Sequence, residues 1–252
     1  MKWLTVARDL KRRKARERNG LFVAEGVRTV EELTRSPLIV EAALVTARAA
    51  ADARAGAIVG ALEARGVPVL QVTDAEFGSA ADTEHPQGLL AIARAPRHSL
   101  DDVHPGDTAR LLVLDAIQNP GNVGVLVRTA AALGAIAVVA LPGTVDVWNA
   151  KVVRSAVGTQ FRLPVIEASL EDMQRFLDQH GVTLWGTDAG GIPLGDVRAP
   201  ARLAIAVGNE GAGLSEALRA RCSAVVSLPM APGVESLNVA VAAGITFYTL
   251  RP

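Results

Sequence analysis

The sequence holds one cysteine, one tyrosine and only 4% aromatic residues among its 252. The lone thiol, Cys222, excludes an internal disulfide framework and any cysteine-cluster metal site, and it reads as a small filler at a helix end. So few rings exclude a broad base-stacking platform. Every long Ala/Val stretch is cut by Arg, Asp, Pro or Gly, so no membrane-spanning helix is expected. His85, His98, His104 and His180 lack metal-ligand spacing, and no G-x-S-x-G elbow is present. The opening residues contain no apolar core of signal-peptide length, and Asp9, Glu17 and Glu25 speak against a transit peptide. Neither sign of charge dominates, with 26 Lys and Arg against 26 Asp and Glu. The expectation is a cytoplasmic α/β protein with no membrane and no metal partner.

Half of the residues are hydrophobic, enough for a sizeable core and too many for a disordered chain. At about 100–200 residues per domain, the length suggests one or two domains. Overall neutrality hides an asymmetry. Residues 1–20 carry Lys2, Arg8, Lys11, Arg12, Arg13, Lys14, Arg16 and Arg18 against Asp9 and Glu17, a net +6. The rest holds 18 basic and 24 acidic groups, a net −6. A local basic cluster binds phosphates by releasing counterions, whatever the total charge. Its alternative is a solvated helix face.

Residues 1–18 read as a helix. Strand-length apolar runs at 21–25, 39–45, 67–72 and 88–93 then alternate with helical spacing at 27–35, 50–65 and 74–80. This predicts a compact α/β domain over 1–95. Residues 96–108, with prolines, a glycine and no apolar periodicity, read as a linker. A second domain, 109–252, alternates again. Its strand runs are 110–116, 136–141, 163–166, 183–187, 203–207 and 224–228, with helices expected at 122–133, 146–157, 169–180, 213–221 and 236–250. These runs lack polar alternation, as in a largely parallel sheet covered on both faces.

Polar residues break the apolar pattern in three places. In LDAIQNPGNVGVLVRTAAALGA, residues 114–135, a strand ends at a turn, and a helix from Asn122 has only Arg128 and Thr129 polar between Val123 and Leu133. Such a helix should be buried. A buried arginine needs a partner, so Arg128 either makes a structural ion pair or faces a carboxylate, phosphate or cleft. In LAIAVGNEGAGL, residues 203–214, a strand runs into Gly208-Asn209-Glu210-Gly211-Ala212-Gly213. Open α/β sheets bind ligands at such carboxyl ends, although a turn with a solvated Glu210 fits as well. The loop is neither a P-loop nor a dinucleotide fingerprint. In VVSLPMAPGVESLNVAVAAG, residues 225–244, Ser236 is placed to cap an apolar helix, with Asn238 in its first turn.

Together and in order, these motifs resemble those of the SpoU (TrmH-like) RNA ribose methyltransferases of the SPOUT superfamily. Asn122, Gly124 and Arg128 resemble the N-x-G-x-x-x-R motif, with Gly124 two and Arg128 six residues after Asn122. Gly208, Glu210, Gly211 and Gly213 resemble the G-x-E-G-x-G loop. Leu228, Pro229, Met230, Ser236, Leu237, Asn238, Val239 and Ala242 resemble the I-P-M and S-L-N-V-x-x-A stretch, with Leu228 in place of the commoner isoleucine. LFVAEGVRTVEEL and EHPQGLLAIA resemble the opening and closing of the family's substrate-binding domain, so the likeness covers nearly the whole chain.

The resemblance implies an N-terminal L30e-like α/β domain that grips RNA. It implies a C-terminal SPOUT α/β domain with a mostly parallel sheet and a deep trefoil knot. The cofactor implied is S-adenosylmethionine, held by backbone groups at Gly208, Leu228 and Leu237. The catalytic set implied is Asn122, Arg128, Glu210, Ser236 and Asn238, with Glu210 orienting Arg128. The partners implied are structured RNA, ribosomal rather than transfer, and a second copy of the chain in a homodimer. A guanidinium with pKa above about 12 is a poor base, so Arg128 reads as an anchor for phosphate that polarises the 2′-hydroxyl. The rival readings are a base methyltransferase on the same scaffold and a non-catalytic RNA-binding protein.

Overall fold

The computed structural model describes residues 2–234 and 236–251. By their contacts they form two compact units. One takes the chain up to Arg97 together with Trp148–Arg162. The other takes His98–Val147 and the chain from Leu163 onward.

The first unit opens with α1 (Lys2–Asp9) and α2 (Arg13–Asn19). There follow β1 (Leu21–Glu25), α3 (Val27–Thr34), β2 (Val40–Thr46), α4 (Ala47–Ala50), α5 (Ala53–Ala64), β3 (Val69–Val72), α6 (Asp74–Ala80) and β4 (Leu89–Arg94). The sheet order is β1-β4-β2-β3, with β4 antiparallel to both neighbours and β2 parallel to β3. Strand alternation sends Phe22, Ala43 and Leu89 to a core shared with α3 and α5. It sends Val23, Leu44 and Leu90 to a core shared with α1 and α6. The helix expected over 1–18 is broken between Asp9 and Arg13, and its first residue lies outside those described. The break has a physical cause. Arg16 is buried, and its guanidinium donates to the carbonyls of Leu10 at 2.7 Å and Lys11 at 2.9 Å. One of the eight cations is therefore structural.

The second unit contains β5 (Ala109–Leu114), α7 (Pro120–Ala132) and β6 (Ala137–Ala140). The chain then runs through α8 (Ala150–Ser155), which packs in the first unit. It continues with β7 (Val165–Glu167), α9 (Leu170–His180), β8 (Thr183–Pro193), β9 (Arg202–Val207), α10 (Glu216–Arg219), β10 (Ala224–Ser227) and α11 (Val239–Thr249). The sheet order is β10-β8-β9-β5-β6-β7, and every neighbouring pair is parallel. β5 is buried along its whole length, which is why it shows no polar alternation. From β5 the chain builds outward to β6 and β7, then returns on the other side to β8, β9 and β10. The β5/β9 boundary is thus a topological switch point, where loops diverge and leave a crevice at the strands' carboxyl ends.

Residues 148–162 depart from the boundary read from the sequence, which kept 109–252 together. The Trp148 and Phe161 rings lie 4.6 and 5.6 Å from that of Phe22. Buried Glu25 accepts from the Asp82 N–H at 2.7 Å and from the Thr83 hydroxyl, and Arg154 Nη1 lies 3.8 Å from it. Apolar periodicity shows that a segment is buried, not in which core.

The last helix of the second unit is tied down by another buried cation. Arg110, 3% exposed, donates to the carbonyls of Leu250 at 2.6 Å, Ala109 at 2.9 Å and Ala201 at 2.7 Å. Arg110→Ala should lower the unfolding free energy by roughly 1.5–3 kcal/mol, because a charged donor to buried carbonyls is lost. Urea denaturation measures this, and a change within about 0.5 kcal/mol would show that the end of α11 is held by other contacts.

Candidate active site

The crevice is built from the loops after β5, β9 and β10 and the middle of β8. After β5, Asp115 accepts the Ser215 N–H at 2.6 Å, and Ala116 sits at φ 56. A left-handed alanine is strained, and here its carbonyl is held by Asn209 Nδ2 at 2.9 Å. Asn209 also closes its own turn, accepting from Gly211 N at 2.9 Å and Ala212 N at 3.0 Å. A Cβ on Gly208 would fall 2.2–2.3 Å from the backbone of Gly213 and Leu214, so only glycine permits this turn. The turn uses up the start of the helix expected at 213–221, which is reduced to α10.

Glu210 points from this turn to the β5 loop. It accepts from Gln118 N at 3.4 Å, Asn119 N at 3.2 Å and Asn122 Nδ2 at 2.9 Å. Asn122 Oδ1 in turn accepts from Asn238 Nδ2 at 3.1 Å, and Asn238 Oδ1 accepts from Ala240 N at 2.9 Å. One chain of hydrogen bonds therefore joins all three polar breaks in the apolar pattern. Asn119 caps α7 with Pro120 in its first turn, which aims Asn122 at Glu210. Partial burial pushes the Glu210 carboxyl up. Hydrogen bonds from Asn122 and from the backbone of Glu210, Gln118 and Asn119 outweigh that and leave it below its ordinary value.

Other expectations need correction. Asn238, not Ser236, caps α11: its side chain accepts from Ala240 N, and the first helical residue is Val239. Ser236 is exposed and lines the cavity instead. Within one chain Glu210 makes no contact with Arg128; its oxygens accept from the β5 loop and Asn122. Nor is α7 buried all round. Val123, Gly124, Leu126, Val127 and Ala130 are buried, whereas Val125 and Arg128, three residues apart, share an exposed face. Arg128 has no hydrogen bond or ion pair among the described residues, and it lies outside the cavity lining. Cys222 packs against the second unit's core, as a filler residue would, and burial pushes its thiol up to about 11.

The cavity measures about 830 Å³, a size suited to a cofactor. Gly208, Leu228 and Leu237 line it, as do Glu210 and Asn238. Thr187, Asp188 and Ala189 also line it, and the sequence reading passed over them. Their signal was legible: WGTDAGG, like AVGNEGAG, is a buried strand running into glycines. Among the described lining residues the ionisable ones are Asp188 and Glu210, with no Lys, Arg or His. Val226, Leu228, Leu237 and Val239 add apolar lining to the same cavity. That donor set fits a cationic, partly apolar molecule such as S-adenosylmethionine, and it does not fit a phosphate.

Residues 109–248 match the family model described as SpoU rRNA Methylase. The chain belongs to the SpoU rRNA methylase family. Residues 5–91 match the MRM3-like substrate binding domain. The chain is 36% identical over 247 residues to the 23S rRNA (guanosine(2553)-2'-O)-methyltransferase RlmP of Bacillus subtilis (strain 168), covering 97% of this chain and 94% of that protein. The AdoMet-bound rRNA methyltransferase from Sinorhizobium meliloti superposes with TM-score 0.86 at 26% identity, covering 98% of this chain and 93% of that one. The SpoU methyltransferase AviRb from Streptomyces viridochromogenes, solved with AdoMet, gives TM-score 0.86 at 26% identity, covering 98% and 96%. The protein is an S-adenosylmethionine-dependent RNA 2′-O-ribose methyltransferase with a SPOUT fold.

The Glu210 network generates a pH prediction. A carboxyl whose folded pKa is depressed adds stability above its unfolded pKa, about 4.3, and loses it as pH falls through the folded value. Wild type should therefore be more stable than Glu210→Gln at neutral pH, with the gap closing on acidification below about pH 4. Denaturant midpoints across that range test it; a gap unchanged by acid would mean that the charge of Glu210 does not hold the loops.

Proposed function

We propose that this protein methylates a ribose 2′-hydroxyl of ribosomal RNA in the cytoplasm, as a homodimer whose active site takes Arg128 from one chain and the cofactor cavity from the other. The observation that carries this reading is the placement of Arg128. It is exposed, unpartnered among the described residues and outside the cavity of its own chain, beside Val125 on an exposed apolar face. α11 packs against α7, and Gly244 allows this closely: its Cβ would come 3.3 Å from Thr129 Cγ2. Val241, Ile245 and Tyr248 of α11 are 50%, 43% and 56% exposed and fall on one helix face at i, i+4 and i+7. Such a patch suits burial against a second copy. The identity to the 23S rRNA enzyme along nearly the full chain supports ribosomal RNA as substrate. No helix among the described residues is long and apolar enough to cross a membrane, and no group of metal-ligating side chains occurs among them.

The domain assignment is part of the proposal: 1–95 for RNA recognition, 96–108 as a connecting segment that packs with the second unit from His98 onward, and 109–252 for catalysis, with 148–162 lodged in the first unit. Lys11, Lys14 and Arg18 are exposed cations for phosphate, while Arg12 and Arg13 also pair with Asp9 and Glu17. We assign the chain around 225–250 to the trefoil knot of the family.

When bound, S-adenosylmethionine supplies an electrophilic methyl group whose departure leaves a neutral thioether. The residues' task is to position the hydroxyl in line and stabilise charge developing on its oxygen. Asn122 and Asn238 form the polar rim, fixed by Glu210. Arg128 anchors an RNA phosphate and polarises the 2′-hydroxyl, whose proton passes to solvent.

Arg128→Ala should keep its melting temperature and its S-adenosylmethionine affinity, yet lose at least about 100-fold in single-turnover methylation. Lysine should not restore the rate, since it lacks the planar fork. A variant retaining most of its rate would remove Arg128 from catalysis. Ile245→Asp should shift the protein from dimer to monomer in sedimentation velocity, because a charge is placed in the apolar patch. An unchanged sedimentation coefficient at micromolar concentration would show that this face is not the interface.

A further inference from the structure

Asp188 and Glu210 both line the cavity, but they are engaged differently. Glu210 is occupied by three donors from the β5 loop and α7. Asp188 lies midway along β8, just past Gly186 where the pairing with β9 stops, and its partners Gly190 and Arg219 lie outside the cavity lining. Its Oδ1 accepts from Gly190 N at 3.0 Å, and Arg219 of α10 forms an ion pair with Oδ2. Arg219 is not among the lining residues. Arg219, 44% exposed, lies nearer solvent than Asp188, 28% exposed, so water screens the guanidinium more than the carboxylate that lines the cavity. The glycine turn lies against the same carboxylate, since a Cβ on Gly213 would stand 3.5 Å from Asp188 Oδ2. Gly213 itself has φ +71, so the turn keeps no side chain there to cover Asp188. The neighbouring Thr187 is fixed by its hydroxyl donating to the Ala206 carbonyl at 3.0 Å, which ties this part of β8 to β9.

We infer that Asp188 is a specificity-determining residue that makes the cavity prefer the cationic cofactor over its spent product. S-adenosylmethionine carries a sulfonium and has a net charge of +1. S-adenosylhomocysteine has lost one methyl and that charge and is a neutral zwitterion. Shape alone discriminates poorly between them, because a cavity open enough to accept the methyl also accepts its absence. A carboxylate on the wall discriminates by charge, favouring the reactant and helping the product to leave. The inference rests on the cavity being the S-adenosylmethionine site and goes beyond it by assigning the discrimination to one side chain.

Isothermal titration of the full chain with each compound separately tests it. Asp188→Asn keeps an acceptor for Gly190 N and removes the charge, leaving Arg219 to add positive potential at the same wall. Its preference for S-adenosylmethionine over S-adenosylhomocysteine should fall by about three- to tenfold, through weaker binding of the former with the latter unchanged. Asp188→Ala should shift the ratio in the same direction, which keeps the test valid should one variant fold poorly. Asp188→Glu should retain the preference. Equal weakening of both compounds in Asn and Ala variants would reduce Asp188 to a packing role and overturn the inference, as would an unchanged ratio. A folded wild type that binds neither compound would overturn the assignment of the cavity itself, a distinguishable result.

Discussion

The acceptance of three hydrogen bonds by Glu210 is the constraint on which the site depends. Gln118 and Asn119 lie in the loop after β5, Asn122 in the first turn of α7, and Glu210 in the turn after β9. These elements are about ninety residues apart in sequence, and without a shared acceptor two backbone N–H groups at the mouth of the crevice would lack a protein partner. Through Asn122 the same network reaches Asn238 and so fixes where α11 begins. A change at any one of these side chains would loosen the other two.

Around that network the molecule separates its charges by task. The described cavity lining carries carboxylates and no cations, which suits a cationic cofactor. The cations that would meet RNA are placed elsewhere, at Lys11 between α1 and α2, at Lys14 and Arg18 on α2, and at Arg128. Two arginines are withdrawn for structure: Arg16 satisfies the carbonyls at the break between α1 and α2, and Arg110 anchors the end of α11. Counting cations along the chain does not distinguish these roles, because a buried guanidinium serving carbonyls and a free one awaiting phosphate have the same formal charge.

Residues 148–162 show how one segment can belong to one unit by sequence and to another by packing. Phe22 alone would present an apolar face at β1; Trp148 and Phe161 cover it, and Arg154 approaches the buried Glu25. The segment sits inside the span matched by the methylase family model and still completes the core of the first unit.

Much of the protein was legible locally. Leu21–Glu25 and Asp74–Ala80 occur with the bounds read from apolar periodicity, and the unbroken apolar runs at β5 and β9 foretold a covered parallel sheet. The order of three motifs also fixed the family, because each is a short stretch whose chemistry is written in adjacent residues. What the tertiary structure alone decided was non-local. It chose Asn238 over Ser236 as the cap, gave Glu210 to Asn122 rather than Arg128, left Arg128 on an open face and brought Asp188 to the cavity wall. Periodicity reports whether a position is buried. The partner it meets depends on strand order, and in a parallel sheet every neighbour is supplied by a distant part of the chain.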